Sequence, residues 1–108
     1  MNTRETEFIK WLTDRCRVRH YHCQLKNKIV EFMVQLEVKI KDKWYPVVRY
    51  DTAHNFSHQD IYHKDGRIDK IPLGISDYNI AMTFAEEELK KNWEIYIQRF
   101  LKEVDKNE

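Results

Sequence analysis

The sequence predicts an α+β fold in which an antiparallel meander of four to five strands packs against one long C-terminal helix. Two patterns carry this prediction: apolar residues recur at every second position between residues 28 and 40, and at every third or fourth position after residue 76. The chain has 108 residues with only two glycines and two prolines, which is typical of one domain with few linkers. We therefore expect a single domain over residues 1–108.

The N-terminal part has the weakest pattern. Phe8, Trp11 and Leu12 fall at helical spacing, which indicates a short N-terminal helix or a loosely held arm. The next stretch, CRVRHYHCQL, alternates and therefore predicts a strand. Its arginines, interleaved with Tyr21, suit an edge strand that either grips an RNA backbone or protects the sheet from aggregation.

The clearest strand follows, because six apolar residues alternate with polar ones: Val30, Phe32, Val34, Leu36, Val38 and Ile40. A three-residue turn over residues 41–43 would pair Ile40 with Trp44 and Leu36 with Val48. The same register places Arg49 and Asp51 on the polar face of the sheet. Pro46 has no backbone N–H, so we expect an edge or an irregularity at that position.

A second hairpin is predicted around Asp65 and Gly66, a pair that suits a type I′ turn. Beyond it the period becomes helical, with Ser76 or Asp77 as the N-cap, although the segment TFAE also resembles a capping box. The apolar stripe of this helix has to cover the sheet, and its members are Met82, Ala85, Leu89, Trp93, Tyr96, Ile97, Phe100 and Val104.

One segment, RYDTAHNFSHQDIYHKDG, holds three of the five histidines. On a strand that begins near Phe56, the side chains of His58, Asp60 and Tyr62 share one face, so the carboxylate can orient the imidazole. The loop before this strand contributes a second imidazole, and the preceding strand contributes a guanidinium and a carboxylate. The candidate catalytic residues are therefore Arg49, Asp51, His54, His58, Asp60 and Tyr62.

Two imidazoles, two carboxylates and a guanidinium suit metal-independent cleavage of RNA, with His54 and His58 as acid and base and Arg49 as the phosphate clamp. No cofactor is needed for that route. The alternative use of the segment is a metal site formed by His54, His58 and Asp60 with water, although the spacing matches no standard zinc motif. A purely structural polar turn is the third interpretation.

The charge and hydropathy of the chain exclude few classes of protein. Lys and Arg number 19 against 18 Asp and Glu, but residues 1–50 carry 11 basic and 6 acidic side chains, an excess of five positive charges. This basic half is compatible with phosphate binding. No apolar run reaches the roughly 20 residues of a membrane helix, and the polar start does not resemble a signal peptide, so we expect a cytoplasmic protein without a membrane partner.

The segment RYDTAHNFSHQD, together with Asn92 and Trp93, resembles small uncharacterised prokaryotic proteins similar to the TumE-like family, the toxins of toxin–antitoxin pairs. The chain departs from that pattern at Thr52, where the family has Asn. The resemblance implies a prokaryotic cytoplasmic protein that acts on RNA and has an antitoxin partner. The residues that carry it are Arg49, Tyr50, Asp51, Ala53, His54, His58, Asp60, Asn92 and Trp93.

Two hypotheses from different classes follow. The first is a toxin-like ribonuclease or RNA-binding protein that uses the His/Asp/Arg cluster, and the ribonuclease requires the histidines to converge in one concavity. The second is a non-catalytic protein-interaction module, such as a homodimer, which requires dispersed histidines and an apolar patch outside the core.

Overall fold

The computed structural model describes residues 2–105, which form one antiparallel sheet and one long helix. The six strands lie in the sheet in chain order, so each pairs with the strand that follows it. This confirms the α+β prediction and the single C-terminal helix, with six strands instead of four to five. The elements are β1 (Thr3–Thr13), β2 (Cys16–Leu25), β3 (Lys28–Ile40), β4 (Lys43–Asp51), a 3₁₀ turn (Ala53–Asn55), β5 (His58–Tyr62), β6 (Ile68–Pro72) and α1 (Tyr78–Asp105).

The prediction of an N-terminal helix or loose arm is wrong, because β1 is an 11-residue strand paired with β2. The helical spacing arose from residues on two different faces: Phe8 and Leu12 lie near the α1 residue Leu89, whereas Trp11 pairs with Arg17 on the other side. β2 consequently lies inside the sheet, and the expected edge position of its arginines is also wrong.

Simple alternation fails at the start of β3 because of a β-bulge. Cys23 pairs with Glu31 and Gln24 with Ile29, which leaves Val30 as the extra residue. Ile29 therefore takes the buried position, while Val30 is 43% exposed instead of lying in the core as the sequence pattern indicated.

The turn between β3 and β4 has two residues instead of the expected three. Lys41 and Asp42 both have positive φ, 50° and 67°, as a type I′ turn requires. Ile40 therefore pairs with Lys43, and the expected pairing of Ile40 with Trp44 is wrong.

A bulge at Val47 corrects the register. Glu37 pairs with Pro46, whereas Leu36 pairs with Val48, so Val47 has no partner in β3. The expected irregularity at Pro46 and the expected pairing of Leu36 with Val48 are both confirmed. Because proline has no N–H to donate to the ladder, the bulge next to Pro46 interrupts the pairing where one donor is already missing.

The turn between β5 and β6 has three residues and is not the type I′ turn expected at Asp65 and Gly66. The carbonyl of His63 accepts from the Gly66 N–H at 3.0 Å, and the His63 N–H donates to the Arg67 carbonyl at 2.9 Å. Gly66 has a φ of +96°, a conformation that glycine adopts without a steric cost, while Asp65 keeps a negative φ.

α1 is one continuous helix whose N-cap is Asp77, since Asp77 Oδ1 accepts from the backbone N–H groups of Asn79 at 2.9 Å and Ile80 at 3.2 Å. Its apolar stripe packs on β3 and β4 as predicted, although the side chain of Val104 lies outside the described residues. None of the helices within residues 2–105 has the length and apolar character to cross a membrane. The fully buried contacts of this interface include Ala81, Ala85, Leu89, Phe100, Leu36, Val48 and Tyr50.

His63 ties the second hairpin to the end of α1. Its Nε2 lies 2.8 Å from Asp69 Oδ2 and its Nδ1 lies 3.0 Å from Glu103 Oε2. The hydrogen bond to Asp69 has the largest effect on the pKa of His63, and together with the contacts to Glu103 it raises that pKa above its usual 6.5, although burial opposes the shift. His63 therefore favours the folded state most when it is protonated.

We expect the stability that His63 contributes to be fully present below pH 6.5 and to disappear as the pH rises through its raised folded-state pKa. Unfolding free energies of the wild type and His63→Gln, measured in urea between pH 5.5 and 8.5, should therefore differ most at the acidic end. His54→Gln, at an exposed turn position, is the control and should change little at any pH. A His63→Gln difference that grows towards pH 8.5 would contradict the expectation.

Candidate functional site

The sheet has one face under α1 and a second face that no long helix of the described chain covers. Successive residues of a strand point to opposite faces, so the cross-strand pairs assign each side chain to one of them. We call the second one the open face. Its residues include Ile9, Trp11, Arg17, Arg19, Tyr21, Gln35, Glu37, Trp44, Arg49, Asp51, His58, Asp60, Tyr62 and Lys70.

A row of polar residues crosses the open face from β2 to β6. Arg19 pairs with Gln35 and Gln35 with Arg49. The row continues because Arg49 pairs with Asp60, and Asp60 with Lys70. Directly opposed residues of antiparallel strands share a face, so each of these five side chains lies next to the following one across the sheet.

Glu37 is the acceptor at one end of the open face. Arg17 Nε donates to Glu37 Oε1 at 2.7 Å, Arg19 lies 3.5 Å from Glu37 Oε2, and the Gln35 amide donates to the same carboxylate. The Glu37 side chain is only 4% exposed. A buried carboxylate with three donors is satisfied, so Glu37 holds these side chains in fixed positions.

Two tryptophans flank Arg17. Its guanidinium carbon lies 3.9 Å from the ring centroid of Trp44 and 5.6 Å from that of Trp11. The two indole rings make an edge contact with centroids 5.7 Å apart. The open face therefore presents aromatic surface next to a cation, and Trp11 is 57% exposed.

The other end of the open face is built around His58. Its Nε2 lies 2.8 Å from Asp51 Oδ1 and 3.5 Å from Asp60 Oδ1. Two cations border these carboxylates: Arg49 NH1 lies 3.7 Å from Asp51 Oδ2, and Lys70 Nζ lies 3.3 Å from both oxygens of Asp60. Arg49 Nε also donates at 2.6 Å to Gln35, which joins this end of the network to the Glu37 end.

Asp51, His58 and Asp60 form a group of possible metal ligands. One ligand atom from each lies within 4.8 Å of the other two, and all three residues are buried. The sequence interpretation of a metal site named His54 with His58 and Asp60. The structure places Asp51 in the position that His54 was expected to take.

The structure brings together five of the six candidate catalytic residues: Arg49, Asp51, His58, Asp60 and Tyr62. Burial is the main reason that the pKa of Tyr62 lies above its usual value, so its phenol is neutral at physiological pH. The sixth residue, His54, is exposed in the 3₁₀ turn with a φ of 66°, and it is not one of the clustered ligands.

Sequence reasoning missed the Glu37 end of the network. Gln35 and Glu37 alternate with core residues of β3, which indicated a solvent-facing position, but both are less than 5% exposed. Their burial could have been inferred from their place on a central strand of the meander, because the neighbouring strands on both sides supply arginines that pair with them. Lys70 was missed because nothing in β6 alone indicates that it faces Asp60.

A separate histidine cluster lies on the face under α1. His20 Nε2 and His22 Nδ1 are 2.7 Å apart, and His20 Nδ1 lies 3.9 Å from Glu86. Burial, and then the neighbouring His22, lower the pKa of His20, while burial raises the pKa of Glu86. A small cavity of about 60 Å³ is lined in part by His20 and Glu86. The histidines of the chain are therefore dispersed over both faces.

The fold and the network define a single sheet with one helical cover and one polar, partly aromatic open face. A family described as a domain of unknown function, DUF7718, matches residues 1–106, and the chain belongs to this family. No curated protein and no solved structure matches the chain. The resemblance to the TumE-like toxins stays a prediction, since the matching family carries no functional description.

We expect Glu37→Ala to lower the free energy of unfolding by about 3 kcal/mol, because it leaves the Arg17 guanidinium and the Gln35 amide without their buried acceptor. Urea unfolding followed by circular dichroism measures this loss. Glu7→Ala, an exposed glutamate on β1, is the matched control and should cost less than about 0.5 kcal/mol. Equal losses in the two variants would show that Glu37 does not organise the open face.

Proposed function

We propose that this protein binds single-stranded RNA on the open face. The observation that carries the proposal is the polar row, which presents Arg19, Arg49 and Lys70 on alternate strands of the sheet. Aromatic rings lie beside it, with Trp11 near one end and Tyr62 about 6.0 Å from the Arg49 guanidinium. Cations that track a backbone and rings that stack on bases are the two elements of sequence-tolerant recognition of single strands.

The carboxylates of the open face hold these cations in place without consuming all their donors. Each arginine has five N–H donors, and the contacts to Glu37, Gln35 and Asp51 use only part of them. The side chains of Arg19 and Lys70 are 51% and 58% exposed, so their outer donors face solvent. Cations that are already positioned lose less conformational entropy when they meet phosphate.

The geometry supports binding in preference to cleavage. The metal-independent route requires one imidazole to take a proton and a second to return it. Within residues 2–105 the open face carries His58 alone, and its side chain is only 2% exposed. A phosphodiester that rests on Arg19 and Arg49 therefore lacks the two accessible imidazoles that the reaction needs.

We expect the triple variant Arg19→Gln, Arg49→Gln, Lys70→Gln to bind RNA at least about tenfold more weakly than the wild type. Each lost phosphate contact also reduces the slope of log affinity against log salt, by about 0.7 for a single strand, so the slope should fall by about 2. Fluorescence anisotropy with a labelled mixed-sequence RNA at several salt concentrations measures both, and a denaturing gel of the same samples should show intact RNA.

The matched control removes three exposed lysines from α1 in the variant Lys90→Gln, Lys91→Gln, Lys102→Gln. This variant has the same net charge as the open-face variant but leaves the open face unchanged. If the two triple variants bind RNA equally, the affinity is a nonspecific effect of net charge and the open face is not the site. Circular dichroism of both variants verifies that they remain folded.

The second candidate function is a protein-interaction module, whose partner is a second copy of the chain or an antitoxin protein. The observation that favours it is the outer edge of β1, an 11-residue edge strand of the described sheet. Its Phe8, Ile9 and Trp11 are 47%, 45% and 57% exposed. An edge strand with exposed apolar side chains is suited to strand addition.

A homodimer through β1 predicts that the wild type sediments as a dimer and that Ile9→Lys sediments as a monomer, because the substitution places a charge at the strand junction. Sedimentation equilibrium at several protein concentrations measures this. Ile68→Lys is the matched control, since Ile68 is 46% exposed on the opposite edge strand β6. A wild type that is monomeric at every concentration would exclude the homodimer and leave an antitoxin as the partner to test.

A further inference from the structure

We propose that Asp51, His58 and Asp60 bind a divalent transition-metal cation such as Zn²⁺ or Mn²⁺. This site lies within the open face but is a separate function from RNA binding, because it uses the buried carboxylates and imidazole in place of the exposed cations. It also differs from the ligand set that the sequence indicated, since His54 takes no part.

The first observation is an orphaned nitrogen. His58 is 1% exposed, and its Nε2 has no hydrogen-bond partner within the described residues. Asp51 Oδ1 lies only 2.8 Å away, but it stands to the side of the direction in which an N–H on Nε2 would point. A buried ring nitrogen without a partner is costly, so something else has to satisfy it.

The spacing of the three ligand atoms fits a shared cation. Two ligands that bind one metal at about 2.1 Å and at right angles lie roughly 3 Å apart, and the nitrogen lone pair then points at the metal and beside the oxygen. The distances from His58 Nε2, 2.8 Å to Asp51 Oδ1 and 3.5 Å to Asp60 Oδ1, bracket that value. The sideways position of the Asp51 oxygen is the geometry of two adjacent metal ligands.

The surrounding hydrogen bonds prepare these atoms for a metal. His58 Nδ1 lies 3.3 Å from the Phe56 carbonyl oxygen, which fixes the proton on Nδ1 and leaves Nε2 as the ligand. Asp51 Oδ1 accepts from the Ala53 N–H at 3.2 Å, so this carboxylate is also oriented. Metal-binding histidines and carboxylates commonly have such outer partners.

Charge identifies the class of cation. Two carboxylates and a neutral imidazole carry two negative charges, and one nitrogen with two oxygens suits Zn²⁺ or Mn²⁺. Three protein ligands leave positions for water or for a ligand oxygen. Lys70, which is 58% exposed and 3.3 Å from Asp60, is a competing cation on a flexible side chain, so it should weaken metal binding without preventing it.

Isothermal titration calorimetry of the metal-free full-length protein with ZnCl₂ and with MnCl₂ tests the proposal. We expect one cation per chain, and affinities at least about tenfold weaker in Asp51→Asn and in Asp60→Asn, which preserve side-chain volume. Lys70→Gln should bind more tightly than the wild type, because it removes the competing charge. His54→Ala, which removes a nearby histidine outside the group, should bind like the wild type.

A spectroscopic readout keeps the proposal testable if an asparagine variant fails to fold. Long-range ¹⁵N–¹H spectra of the wild type should show that Zn²⁺ shifts Nε2 of His58 and leaves His54 unchanged. The same spectra without metal report whether His58 carries protons on both nitrogens, since an imidazolium is the other way to neutralise the two carboxylates. An unshifted His58 at saturating Zn²⁺, or binding that persists in both asparagine variants, would overturn the proposal.

Discussion

A six-stranded sheet has two faces, and this chain supplies one long helix to cover them. The helix buries the apolar side chains of β3 and β4, so the opposite face has to satisfy its own polar groups. It does so through carboxylates that lie under longer cationic side chains, as Glu37 lies under Arg17 and Arg19. Buried carboxylates are therefore covered by their own cationic partners instead of by a second layer of structure, and this arrangement fixes which cations of the open face stay exposed.

The elements whose patterns depend only on their own residues could be predicted from the sequence. β3 after its bulge and α1 each repeat one period over many residues, and the packing of the helix on the sheet follows from it. β1 could not be predicted in this way. The helical spacing of Phe8 and Trp11 combined two faces of a strand, and β1 is ordered by its pairing with β2, a contact that no local pattern contains.

The candidate site was predictable where it depends on alternation within one strand. His58 and Asp60 share a face for that reason, and the pairing of Arg49 with Asp60 extends the group to β4. The depth of burial was not predictable from β3 alone, because Glu37 is covered by Arg17 and Arg19 of the neighbouring strand β2. The absence of His54 from the cluster was not predictable either, because its position depends on a left-handed backbone conformation in the turn after β4.

The bulge at Val47 connects the β3–β4 turn to the site. Tyr45 packs against Phe100 under the helix, and without a bulge strict alternation from Tyr45 would also turn Arg49 and Asp51 towards the helix. The extra residue reverses the order, so Val47 and Val48 are both fully buried and Arg49 and Asp51 lie on the open face. The two-residue turn and the bulge thus act together: the turn shortens the hairpin by one residue, and the bulge restores the register. As a result, Arg49 and Asp51 lie on the same face of the sheet as His58.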